Sequence, residues 1–235
     1  MPRVWSVKTY VVRLWLPDRP GALGQVASRI GAVRGSVVGI DILERGGGQA
    51  VDELVVELPD EGLVDMLVRE IRQVDGVGVE EVRPLAGDRH HDPRLDGLEA
   101  VAQLVGAADQ VELLDGLVLQ ATRVIGADWG AVVDHEPGGL EVVARMGEAP
   151  SGAWLRAFVA GSTSTTGLVP GELPETGDIA WAPLASSRLA LVLGREGVAF
   201  RARERREVAA FARVADTRHR ELTRAASRAR HPSLG

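Results

Sequence analysis

The stretch Leu16–Leu23, reading LPDRPGAL, stands where a strand gives way to a helix, and the periodicities on either side of it decide the fold. Upstream, Tyr10–Leu16 alternates: Val12, Leu14 and Leu16 share one face and Val11, Arg13 and Trp15 the other, as a strand requires. Downstream, Leu23, Val26, Ala27, Ile30 and Val33 recur at helical spacing, with Pro20 suited to the first helical position and Gly35 to the C-terminal stop. The turn between them has chemistry of its own. Backbone N–H groups in the first helical turn lack an intrahelical acceptor, so those of Gly21, Ala22 and Leu23 are placed to receive a carboxylate, helped by the helix dipole. Asp18 is then available to an ammonium group. It is equally suited to cap those same N–H groups, with Pro20-Gly21 shaping the turn.

Working outward, Val37–Leu43 resumes alternation, with Val38, Ile40 and Ile42 together, and Gly46-Gly47-Gly48 offers the positive φ angles of a hairpin whose second arm is Ala50–Leu58. Pro59-Asp60 opens a second helix, with Asp60 as cap and Leu63, Leu67, Ile71 and Val74 on its apolar side; Val77–Arg83 is a fourth strand. The order βαββαβ is the ferredoxin-like split βαβ arrangement, an α+β fold with two helices over one face of an antiparallel sheet. The opposite face mixes Val11, Trp15, Val37 and Val55 with Arg13, Asp41, Glu53 and Glu57, a composition suited to a partner surface.

Pro84–Pro93 loses all periodicity, so domains are expected at 8–85 and 95–224, joined by a linker at 86–94 and followed by a flexible tail at 225–235. The second half reads as helices Leu95–Ala107 and Gln110–Ile125, then strand Trp129–His135, a turn at Pro137-Gly138-Gly139 and strand Leu140–Arg145. A short helix at Gly152–Ala160 and a polar loop at Ser162–Asp178 precede strands Ile179–Leu184 and Arg188–Arg195 and a last helix from about Ala202 to Ser227. It is a second antiparallel sheet bracketed by helices.

Composition narrows the function classes. The chain has 235 residues, 45% hydrophobic and 26% charged, enough for two ordinary domains with real cores. Cysteine is absent, which removes disulfides, thiolate metal sites and cysteine nucleophiles. The N-terminus is broken by charges and Pro17 before it makes a signal h-region, and no apolar run reaches membrane-spanning length, so a cytoplasmic location without membrane association is expected. A net charge of −6 argues against a protein dominated by nucleic-acid phosphate contacts.

The residues Tyr10–Arg83 resemble the ACT domain through LPDRPGALGQVA, the helix-ending Gly35, the Gly39-Ile40-Asp41 segment and the βαββαβ order. The resemblance implies a regulatory module that pairs as a homodimer and holds an amino acid between the strand-to-helix turn of one copy and elements of the other. It implies a ligand-binding set of Asp18, Arg19, Pro20, Gly21, Ala22 and Leu23 with Gly35, Ser36 and Val37. Many ACT domains carry asparagine near the position of Ser36. A helix stop followed by a strand accounts for Gly35–Val37 equally well. The second half is similar to a GAF domain through Trp181-Ala182-Pro183-Leu184, the run RLALVLGREGVAF and a helix carrying Val208, Phe211, Ala212 and Ala215. GAF domains commonly bind small molecules or serve as dimerising signal modules.

Other candidate chemistry is sparse. His90, His91, His135, His219 and His231 show no metal-ligand spacing. Asp52-Glu53 and Glu80-Glu81 are adjacent on strands and point to opposite faces, which excludes a carboxylate dyad. Ser162–Thr166 before Gly167 has hydroxyls without the lysine and glycine spacing of a phosphate loop. The arginines of Arg201–Arg230 read as the solvated face of an amphipathic helix, a partner or weak nucleic-acid contact being the alternative. The expectation is therefore a non-catalytic sensor with no cofactor. It would take an amino acid or similar small effector and signal through dimer geometry or a partner enzyme or regulator; the alternatives are a ligand-free dimerisation and docking subunit, or a regulatory subunit of a metabolic enzyme.

Overall fold

A computed structural model describes residues 7–85, 93–135, 142–164 and 178–230. They form two compact units that part at Pro93, each with its own four-stranded antiparallel sheet. The protein is α+β.

In the first unit β1 (Lys8–Pro17), α1 (Ala22–Ala32), β2 (Ser36–Gly46), β3 (Gln49–Leu58), a 3-10 turn (Glu61–Leu63) running into α2 (Val64–Ile71), and β4 (Gly78–Pro84) follow the βαββαβ order. The sheet order β2-β3-β1-β4 puts the first and third strands at the centre, the split βαβ topology. The alternation in β1 works as its sequence demands. Tyr10, Val12, Leu14 and Leu16 join Ala50, Leu54, Val56 and Leu58 of β3 beneath Val26 and Ile30 of α1 and Leu67 and Ile71 of α2. Gly47 and Gly48, at φ 60° and 78°, supply the two positive φ angles of a tight hairpin between β2 and β3. Asp60 caps the 3-10 turn by accepting the Gly62 N–H at 2.8 Å.

Local geometry corrects three expectations. Val37 does not belong to the face opposite the helices: a bulge between Val37 and Gly39 shifts the strand by one residue, so Val37 pairs with Val56 and packs against the core while Val38 is exposed. Helix α1 begins at Ala22 rather than Pro20, because Gly21 at φ 87° turns the chain first. Its end is a Schellman motif in which the left-handed residue is Arg34, at φ 62°, and not Gly35. Gly35 N–H reaches Ile30 O at 3.0 Å and Arg34 N–H reaches Gly31 O at 3.0 Å. Gly35 is needed for space: a Cβ there would lie 2.8 Å from Ile30 Cγ2 and 3.1 Å from Leu58 Cδ2.

The face opposite the helices is less open than its composition suggests. Val11, Val51 and Val55 are buried, and Arg13, 1% exposed, gives Nη2 and Nε to Glu53 Oε2 at 2.8 and 3.2 Å. Arg83 approaches the other oxygen of Glu53 at 3.5 Å. Glu53 is thus held between two arginines.

The second unit runs α3 (Pro93–Gly106), α4 (Gln110–Ile125), β5 (Trp129–Asp134), β6 (Val142–Met146), α5 (Gly152–Ser164), β7 (Ile179–Leu184), β8 (Leu189–Gly194) and α6 (Ala202–Arg230), with sheet order β6-β5-β8-β7. Helix α6 thus continues through Arg230, past the start of the expected tail. The turn at Pro137-Gly138-Gly139, and most of the polar loop after Ser164, lie outside the described residues. Helices α3, α4 and α6 share one core with the sheet through Leu104, Leu113, Leu117, Leu191, Phe211 and Ala215. A smaller core forms where Leu155 and Val159 of α5 meet Ala131, Val133, Ala190 and Val192.

The β8–α6 connection is pinned by one buried ion pair. Arg195 Nη1 and Nη2 meet the two oxygens of Glu204 at 2.7 and 2.9 Å. Arg195 also donates to Val198 O at 2.8 Å and to Ala199 O at 2.7 Å, and its guanidinium lies 4.1 Å from the Phe200 ring centre. Glu204 in turn accepts Arg201 N–H at 2.7 Å, which ties the start of α6 to the loop. Because the Arg195 guanidinium and the Glu204 carboxylate are paired with each other and with nearby backbone groups, the desolvation cost of these two charges is offset in place.

Candidate functional site

The turn after β1 is built by backbone. Asp18 N–H donates to Gly48 O at 3.0 Å, fastening the turn to the β2–β3 hairpin, and Arg19 N–H donates to Pro17 O at 2.8 Å. Gly21 then takes its left-handed conformation and α1 starts with no side-chain cap. Ala22 N–H closes back on Arg19 O at 3.3 Å, and Gln25 N–H donates to Gly21 O at 3.0 Å. Among the described residues the N–H groups of Gly21, Leu23 and Gly24 have no acceptor. No heavy atom lies within 4 Å of where a Cβ would stand on Gly21 or Gly24, so nothing of the protein obstructs the start of the helix. The arrangement has the geometry of an anion seat.

Asp18 leaves those N–H groups alone. Its carboxylate stands 4.0 Å from Arg45 Nε on the hairpin, with both side chains well exposed. Arg19 and Pro20 are exposed as well, whereas Ala22 is buried and Leu23 packs half-buried against the core. The acceptor competing for the open N–H groups is therefore absent from the turn's own side chains.

Sequence reasoning set Asp52 aside as the neighbour of Glu53, without a role at the site. It lies on the helix-bearing side of β3, in register with Leu14 of β1 and Ile42 of β2, and is 3% exposed. Its Oδ1 is buried with no hydrogen-bond partner. Burial pushes this carboxyl above its ordinary value; Arg45 opposes the shift and Asp18 adds to it. The signal was present in the sequence as an aspartate at a core-face position between Ala50 and Leu54. Its meaning depended on knowing that no donor faces it.

Gly35, Ser36 and Val37 are not brought to the turn within one chain. They sit at the other end of α1, which at about 1.5 Å per residue separates the two groups by about 16 Å. Ser36 is exposed at the first position of β2, opposite Glu57, and Val37 packs inward. The strand that joins the two regions, β2, is an edge of the sheet, and its Val38, Ile40 and Ile42 are 52%, 50% and 39% exposed.

A separate concavity of about 600 Å³ opens between the end of α1 and the start of α2, bounded by Val33, Arg34, Pro59, Asp60, Leu63 and Met66. Nearby, burial and then the Glu61 and Asp60 carboxylates push the Tyr10 phenol above its ordinary value. Among the described residues no helix is long and apolar enough to cross a membrane.

No family model and no curated protein matches the chain. Solved structures with partial likeness include the ACT domain from GTP pyrophosphokinase of Chlorobium tepidum, at 20% identity and TM-score 0.28, covering 36% of this chain and 93% of that one. The C-terminal domain of the MgtC protein from Mycobacterium tuberculosis matches at 17% identity and TM-score 0.28, over 36% of this chain and 93% of that one. A formyltetrahydrofolate deformylase from Pseudomonas putida matches at 17% identity and TM-score 0.26, over 42% of this chain and 38% of that one.

Proposed function

We propose that the protein is a non-catalytic regulatory protein whose first unit is an ACT-like module, and that this module binds a free amino acid or similar small metabolite. The observation that carries this reading is the start of α1, where open N–H groups stand without a capping side chain while the carboxylates of Asp18 and Asp52 lie close enough to influence one another. A zwitterion fits both features. Its carboxylate is received by the helix start, and its ammonium answers the excess negative charge left after Arg45 is counted.

Two copies complete the site in this reading. Antiparallel pairing of β2 with its symmetry mate places the Ser36 end of one strand beside the hairpin end of the other. Residues too far apart in one chain then meet across the two-fold axis. The exposed Val38, Ile40 and Ile42 favour such pairing, since a long apolar edge strand is a template for another strand. The second unit is read as GAF-like, a cytoplasmic location is retained, and the output passes by dimer geometry or a partner protein.

Thermal-shift screening against the standard amino acids is the test, because a ligand specific to the native state raises stability by mass action. At least one amino acid is expected to stabilise the chain, and Asp18→Ala to weaken its effect. If none stabilises a folded sample at millimolar concentration, the ligand reading falls. If the dimer persists in that case, the protein is a docking subunit, the alternative that the apolar β2 edge supports by itself.

A further inference from the structure

We propose that the cavity between the end of α1 and the start of α2 is a second small-molecule site, separate from the turn after β1, and that it takes a zwitterion with an apolar side chain, such as leucine.

Three observations converge on it. The first is size and lining: about 600 Å³ bounded by the apolar Val33, Pro59, Leu63 and Met66 lies within the range of small-molecule pockets. Met66, 43% exposed, supplies an adaptable wall.

The second is charge. Arg34 and Asp60 border the same cavity and form no ion pair with each other. Among the described residues the Arg34 guanidinium has no acceptor. Asp60 uses one oxygen, Oδ1, for Gly62 N–H and keeps the other available. A carboxylate on Arg34 and an ammonium on Asp60 would satisfy both, while an apolar side chain covers Leu63 and Met66.

The third is backbone strain. Arg34 holds φ 62° at a position where glycine would be at ease. Left-handed geometry disfavours a side chain with a Cβ. The Schellman turn that ends α1 accounts for the conformation and gives no reason for an arginine. A guanidinium carried at the cavity's rim by a strained residue is explained if it has a ligand to hold.

The site can be tested in the intact chain, whose methionines are Met1, Met66 and Met146. With methyl-labelled methionine, titration with L-leucine is expected to move the Met66 methyl resonance and leave Met146, in the other unit, in place. Arg34→Gly is expected to weaken binding at Met66 about tenfold or more, as loss of a charged hydrogen bond does. The same substitution should raise the thermal midpoint, because glycine relieves the left-handed strain; a more stable protein that binds less well cannot be explained by misfolding. Asp60→Asn, which retains a capping side chain, should also weaken binding, and 4-methylpentanoate, lacking the ammonium, should bind more weakly than leucine. The proposal is overturned if the Met66 methyl does not respond to leucine, or responds equally in Arg34→Gly. It is likewise overturned if 4-methylpentanoate matches leucine. Asp18→Ala separates the two sites: an unchanged Met66 response in that variant supports this cavity whether or not the turn binds anything, and a lost response assigns the ligand to the turn and removes the cavity.

Discussion

Replacing Asp52 by asparagine should stabilise the first unit, and only above a certain pH. Asp52 is 3% exposed on the helix-bearing face of β3, and its buried Oδ1 accepts no hydrogen bond. Burial is the leading cause that raises its carboxyl, with Arg45 opposing and Asp18 reinforcing. Since the native state holds this proton more tightly than the unfolded chain does, the native state carries more bound protons between the ordinary aspartate value and the raised one. Stability therefore falls as pH rises through that window, and the full cost is present above it. Leaving a buried polar group without a partner costs about 1–3 kcal/mol. Asparagine removes the charge but keeps a polar group, which sets the gain near the lower end, about 1 kcal/mol. For a unit of this size that is about 4–8 °C in thermal midpoint. Calorimetric melts of both proteins at about pH 4 and about pH 8 provide the assay. An advantage of the same size at both pH values would refute the reasoning, because it would show that ionisation of Asp52 is not what strains the fold. No advantage at the higher pH would show that the carboxylate finds a donor in the free protein.

Three further outcomes follow from the same geometry. Gly35→Ala should destabilise the first unit by about 1–3 kcal/mol, the cost of overpacking a tight core, read from urea melts; a neutral result would mean that Ile30 and Leu58 yield freely. Glu204→Ala should lower the stability of the second unit by about 3–5 kcal/mol, since it leaves the Arg195 guanidinium buried without its carboxylate; a smaller loss in chemical denaturation would show that Val198 O and Ala199 O suffice. Ile40→Lys should leave the chain folded and turn a dimer into a monomer by light scattering; an unchanged mass would remove β2 from the pairing surface.

Much of the fold is legible in the sequence because it is dictated by period and turn chemistry. The alternation of Tyr10–Leu16, the helical spacing from Leu23 to Ile30 and the Gly47-Gly48 hairpin each specify local structure through neighbours a few residues away. The structure realises all of them, and the α+β class follows from their order. The chemistry of LPDRPGAL was legible in part. That a helix start there would present open N–H groups is a property of any helix, but Asp18 could cap or stand aside, and local sequence permits both.

What only the tertiary structure decided are matters of who faces whom. The bulge at Val37–Gly39 reverses the side of one valine because β3, distant in sequence, fixes the register. Gly35 is glycine on account of Ile30 and Leu58, the second of which arrives from another strand. Asp52 becomes a buried acid whose Oδ1 has no donor, and Arg34 and Asp60 come to border one cavity, only once separate elements pack. Periodicity is a one-dimensional signal that records which face a residue takes. Whether a polar group on that face finds a donor depends on long-range packing, which no local spacing encodes.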